Sequence, residues 1–325
     1  HVLAAVSIVG RVAVACGSPD SASVTAPVAQ PTASTPAATA TLNATATGEP
    51  TQLPPTSAPI ADPTATPVPD AEPITVDAPN SSAPLVTPQS LNPEEADFVS
   101  TADTLAWKTD WSLRTVPLTE LLISLRRDSI RPINDPTYLT VDEANEEYDP
   151  KEAFIIVDLN DDARAYPLSV LVNHEIVNDE IGGIPVTVTY CPLCNSSIVF
   201  DRRIDGIVHR FGTSGMLRKS DLVMWDDTTE TLWQQLTGEG IVGEQAGKKL
   251  TILPAQIGSL DAFTAASPGG QVMAPPAGRA YLRASYQGYD DGKRDPFLFF
   301  GDIDPRLNAT DRITALDLGT GPVAY

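Results

Sequence analysis

The sequence predicts a mainly β protein, sandwich or barrel-like with few short helices, internally duplicated and preceded by a disordered tail rich in Pro, Thr and Ala. Three observations predict it. Composition divides the 325-residue chain into two dissimilar parts. Short β-type runs recur through the second part at a spacing of roughly 8–12 residues, with Gly or Asp turns between them, as in sandwiches and barrels. A stretch from the middle of the chain also returns near its end.

Between Gly17 and Ser100 there are 16 Pro and 13 Thr, no Lys or Arg, and Phe98 as the single aromatic residue. Such a segment cannot bury enough apolar surface to offset the entropy of ordering it, so residues 17–100 read as a disordered linker. All four Trp and all eight Tyr fall after it, and the folded part starts at residue 101 on this reading. The whole chain carries 42 acidic against 21 basic residues, a formal charge of −21. A surface this acidic repels phosphate backbones, so nucleic-acid binding is set aside.

The chain opens HVLAAVSIVGRVAVACGS. An apolar run ending Ala13-Val14-Ala15-Cys16 before Gly17-Ser18 resembles a bacterial lipoprotein signal and its lipobox. Residues 1–16 therefore read as a signal segment too short to remain as a membrane-spanning helix. Cys16 reads as the lipidation site. The expected location is extracytoplasmic, anchored to the membrane through that lipid, with the Pro-rich stretch as spacer. As a loose coil the spacer would reach on the order of 50 Å.

In the folded part, Leu118, Leu121, Leu122 and Leu125 fit one face of a helix. Phe154–Leu159 and Ala163–Leu168 flank Asn160-Asp161-Asp162 and read as a hairpin. Ser169–Asn173 suits a single helical turn, and Asp261–Ala266 a later helix. Strands are expected at 174–181, 185–190, 198–203, 207–211, 222–225, 231–236, 240–242 and 249–253. Phe211–Asp221, rich in Gly and hydroxyls, reads as a turn or loop. In a loop, Thr213, Ser214 and Arg218 would be anion-binding candidates. Trp225, Trp233, Gln234 and Gln235 read as core and cross-strand packing.

KEAFIIVDLNDDARAY (Lys151–Tyr166) aligns with TDRITALDLGTGPVAY (Thr310–Tyr325) at an offset of 159, matching Asp-Leu and Ala-Tyr. This predicts a duplication. Residues 101–275 form the first repeat, and 276–325 the start of a second, truncated one.

The most reactive stretch is VTVTYCPLCNSSIVF (Val186–Phe200): a β-type run, a Cys-Pro-Leu-Cys turn, and a second β-type run. With Cys16 assigned to lipid, Cys191 and Cys194 are the remaining thiols, expected at an accessible hairpin tip. Three readings stay open. The pair forms a structural disulfide, in a non-catalytic binding or envelope module, although so small a loop gains little from the cross-link. The pair is half of a metal centre for zinc, iron or copper, with His174 and His209 as candidate ligands from neighbouring strands. The pair exchanges disulfides, although no helix is expected after the turn to lower a thiol pKa.

The segments HEIVNDEIGGIPVTVTYCPLCNSSIVFDR (His174–Arg202), FGTSGMLRKSDLVMWD (Phe211–Asp226) and LWQQLTGEGIVGE (Leu232–Glu244) closely resemble a bacterial and archaeal family catalogued as domain of unknown function 3179. The resemblance runs from about Leu118 to Tyr325. It implies an exported or lipid-anchored protein, and members that continue beyond Tyr325. It carries no established activity, so the CPLC turn remains the leading functional candidate.

Overall fold

The structure, a computed structural model, describes residues 85–277 without a break, together with Tyr281 and parts of 296–324. The signal segment, Cys16 and most of the Pro-rich stretch lie outside the described residues. Helix α1 (Pro93–Thr104) begins at Asn92, whose side chain accepts from the Glu95 amide, while Glu95 accepts from the Asn92 amide. This reciprocal box, with Pro at the first helical position, satisfies amides that would otherwise be orphaned. Glu95 also pairs with buried Arg114 (3.0 Å) and accepts from the Leu118 amide, tying α1 to the body. The helix lies across the linker boundary expected at residue 100.

A single 3-10 turn at Leu118–Glu120 leads into β1 (Leu121–Ile123), then β2 (Ile133–Asn134), β3 (Tyr138–Thr140) and α2 (Val141–Glu147). The helix expected over Leu118–Leu125 is therefore a turn and an edge strand. Pairing of Leu121 with Arg218 outweighs the helical spacing of the leucines, of which Leu122 and Leu125 stay exposed. Next come β4 (Ala153–Leu159), β5 (Asp162–Pro167) and α3 (Leu168–His174). Strands β6 (Ile176–Ile181), β7 (Ile184–Cys191) and β8 (Ser196–Asp201) form a meander. A small hairpin, β9 (Arg203–Ile204) and β10 (Ile207–Val208), precedes β11 (Phe211–Arg218) and β12 (Asp221–Asp226). There follow β13 (Leu232–Gln234), β14 (Gly240–Val242), β15 (Ile252–Leu253), β16 (Gln256–Ser259), α4 (Leu260–Ala266) and β17 (Gln271–Met273).

These strands make three five-stranded sheets in the orders β1-β11-β12-β13-β14, β15-β8-β7-β6-β2 and β16-β4-β5-β17-β3. The mainly β expectation holds, with short helices at the margins. The second sheet is buried on both faces. On one side Val177, Val186, Val188 and Val199 pack with Ile155, Val157 and Tyr166 of the third sheet and with Leu168 and Leu171 of α3. On the other, Ile176, Cys191 and Phe200 pack with Phe211, Leu222, Met224 and Trp233 of the first sheet. Each such fully buried Phe or Leu contributes about 1.5–3 kcal/mol. Strand β7 is buried at every position because it lies in this middle layer. Its period-2 alternation turns Val186, Val188 and Tyr190 to the third sheet, and Thr187, Thr189 and Cys191 to the first.

A last hairpin, β18 (Ala315–Asp317) and β19 (Pro322–Ala324), pairs Ala315 with Ala324, Leu316 with Val323 and Asp317 with Pro322. In β4–β5 the residues 159 positions earlier pair identically: Ile156 with Ala165, Val157 with Arg164, Asp158 with Ala163. The aligned segments thus share a hairpin register as well as a sequence pattern.

Candidate metal centre

The CPLC turn closes β7 onto β8, with Cys191 opposite Ser196. Four residues make the loop. Pro192 has no amide to satisfy, and Asn195 takes a left-handed conformation (φ 52°), which Asn tolerates. The Asn195 side chain accepts from the Tyr190 hydroxyl (3.0 Å) and donates to the Thr310 carbonyl (3.3 Å). Cys191 is buried at 1 % exposure, while Cys194 is half-buried. The accessible tip expected for both thiols is therefore corrected. The stacking of the first sheet on the second encloses Cys191 and leaves Cys194 as the more open sulfur. Both are unbridged thiols.

The first sheet brings a second hairpin tip to the same place. Lys219 and Ser220 link β11 to β12 with positive φ (53° and 67°), the left-handed pair that suits a two-residue hairpin turn. The turn places Asp221 against the thiols. Cys194 Sγ donates to Asp221 Oδ1 (3.2 Å), and Cys191 Sγ approaches the Ser220 carbonyl (3.8 Å). Asp221 Oδ2 accepts from the Leu236 amide (3.0 Å) and from the Gln234 side chain. Gln234 in turn accepts from Arg218 (3.2 Å), whose charge is paired with Glu120. A second relay runs from Ser196 to Gln235 (3.0 Å) and from Gln235 to Thr189 (2.9 Å), with Ser196 Oγ 3.2 Å from Cys194 Sγ.

One ligand-type atom from each of Cys191, Cys194 and Asp221 lies within 4.8 Å of the others. Burial pushes the Cys191 thiol well up, and the neighbouring acids Cys194, Asp221 and Glu175 push it further. Asp221 is raised chiefly by burial, against hydrogen bonds from Gln234, Leu236 and Cys194 that lower it. Burial, then the charge of Asp221, lifts Glu175 to about 8. The ionisable groups acting on Cys191 are thus all acidic. A bound cation would supply the missing counter-charge and displace protons.

The two candidate histidines have other partners. His174 is the last residue of α3 rather than part of a strand, and its ring nitrogens meet the Arg131 carbonyl (2.7 Å) and the Tyr281 hydroxyl (3.1 Å). His209 is buried with Nδ1 3.0 Å from Asp226 Oδ1. Neither belongs to the cluster of possible ligands among the described residues, whose third member beside the two thiols is Asp221. The segment around Thr213, Ser214 and Arg218 is a bulged strand, not an open loop. Thr213 donates to the Ile130 carbonyl (2.8 Å) and Ser214 to the Val223 carbonyl (2.5 Å), so neither hydroxyl is presented to an anion. Asp221, Glu175, Gln234 and Gln235 are the site residues that sequence reasoning missed or assigned to packing. An acid at the head of the apolar run Leu222–Trp225 was the available signal for Asp221.

Fold and site together define a layered β protein with a buried thiol–carboxylate cluster between two sheets. The family model described as "Protein of unknown function (DUF3179)" matches residues 127–325, more than half of the chain, and the protein belongs to that family. No curated protein and no solved structure matches the chain. No helix among the described residues is long and apolar enough to cross a membrane.

Proposed function

We propose that the protein is a lipid-anchored, extracytoplasmic envelope protein whose β-rich part holds a transition-metal centre on Cys191, Cys194 and Asp221. The observation that carries the metal reading is the convergence of those three donors within 4.8 Å in a largely buried site. Two thiolates and a carboxylate suit zinc, and iron or copper would accept the same sulfurs, whereas magnesium and calcium prefer all-oxygen sites. Three protein ligands leave one position of a tetrahedral ion for a further donor. Disulfide exchange has less support. A thiol used as nucleophile needs a lowered pKa, and Cys191 is shifted the other way.

The anchoring reading rests on the lipobox-like Ala13-Val14-Ala15-Cys16 and the Pro-rich spacer after it. Metal analysis of the anaerobically purified full chain tests the centre. About one equivalent of metal is expected per wild-type chain, lost in Cys191→Ser. A wild-type chain that is metal-free and takes up no added zinc, iron or copper refutes it. Membrane partitioning of Cys16→Ser tests the anchor. Release into the soluble fraction is expected, and unchanged partitioning refutes it.

A further inference from the structure

We propose that Glu175 completes this centre as its fourth donor, turning its carboxylate onto the ion held by Cys191, Cys194 and Asp221. The inference rests on the metal reading of those three residues and adds a ligand that the compact trio does not include. Glu175 is buried at 8 % exposure, and its side chain makes no hydrogen bond or ion pair among the described residues. Buried carboxylates are costly unless they are paired or coordinate a metal. The charge of Asp221 acts on Glu175, and that of Glu175 on Cys191, so the unpaired carboxyl lies in the electrostatic neighbourhood of two of the three proposed ligands.

The backbone points the same way. Glu175 caps the C-terminus of α3 at φ 60°, ψ −31°, a position where Gly is ordinarily free of strain and Glu is not. Its carbonyl accepts the Tyr190 amide (2.8 Å), fixing it beside the residue that precedes Cys191. By strand alternation, a residue opposite Tyr190 would face the third sheet with Tyr190. Glu175 lies one residue before β6 with a positive φ, so that alternation does not fix its side chain. Strained, non-glycine backbone of this kind gathers at functional sites.

The test is zinc and cobalt(II) titration of the full chain, comparing wild type with Glu175→Gln, Asp221→Asn and Glu180→Gln. Glu180 is an exposed acid on the neighbouring strand and controls for the loss of one charge. Glu175→Gln should weaken zinc binding by about tenfold or more and alter the cobalt d–d bands. It should leave the metal-free melting temperature unlowered, and Glu180→Gln should match wild type. If Glu175→Gln binds both ions as wild type does while Asp221→Asn loses them, this inference falls and the three-residue centre stands. A wild-type chain that binds neither ion sinks both. If Glu175→Gln fails to fold in metal-free buffer, the carboxyl is structural and the inference is overturned.

Discussion

Cys194→Ser separates metal binding from folding more cleanly than any other single change. Cys194 is half-buried, and its sulfur sits 3.2 Å from both Asp221 Oδ1 and Ser196 Oγ. A serine hydroxyl can keep donating to Asp221, so the metal-free variant should lie within about 1 kcal/mol of wild type. What it loses is a thiolate. Free zinc at a hundredfold excess over its dissociation constant stabilises the native state by about 2.7 kcal/mol. The family match spans residues 127–325, and for a domain of that size each kcal/mol raises Tm by about 2–4 °C. Zinc should therefore raise the wild-type melting temperature by roughly 5–11 °C over an EDTA control. For Cys194→Ser the two curves should nearly coincide. The assay is thermal unfolding followed by circular dichroism. An undiminished zinc shift in the variant, or none in wild type, would refute the reasoning.

Cys191→Ser should behave differently, losing about 1–3 kcal/mol in urea denaturation even without metal, because it buries a hydroxyl in an apolar cluster. Glu175 has a folded pKa of about 8 against about 4.3 when unfolded, so its stabilising protonated form is fully present below pH 4.3 and lost as pH rises toward 8. Melts in EDTA should show stability falling over that window by on the order of 5 kcal/mol, with Glu175→Gln flattening the decline; parallel curves would count against the burial argument. Asp226 shifts oppositely. Burial alone would raise it, but hydrogen bonds from His209, Trp233 and Thr229 hold it below the usual range. Its contribution is present above about pH 3.9 and lost as pH falls through the folded value, so Asp226→Asn should show a shallower acid limb in Tm against pH. Gly215→Ala places a methyl 2.3 Å from the Leu125 carbonyl oxygen at a φ of 76°, and should cost more than about 1 kcal/mol by chemical denaturation.

The hairpins were legible wherever turn chemistry and an apolar run agreed. Asn160-Asp161 between β4 and β5, with positive φ at both residues, is such a case. The CPLC turn is another, since Pro192 and Asn195 mark the loop as clearly as the cysteines do. Leu118–Leu125 misled because helical spacing is a local signal, while its fate was set by pairing with β11, nearly a hundred residues away. Helix α1 carried its own signature in Asn92, Pro93 and Glu95, overshadowed by the Pro-rich composition before it. The same holds for α2, which Thr140 and Glu143 cap.

The thiols were legible as a centre, but their partner was not. The choice between an imidazole and Asp221 depends on how two sheets stack, and no period in the sequence encodes that. His174 illustrates the difficulty. Its neighbour Glu175 is buried within the field of Asp221, while the His174 ring turns to Arg131 and Tyr281. A one-residue step at a helix end separates the two environments.

X-ray absorption at the zinc edge of the zinc-loaded chain tests the central claim most directly. Two sulfur neighbours at about 2.3 Å, with oxygen completing the shell at about 2.0–2.2 Å, and one sulfur lost in Cys194→Ser, are the expected result. A shell of oxygen and nitrogen alone, unchanged when either cysteine is replaced, would contradict a metal centre at Cys191 and Cys194.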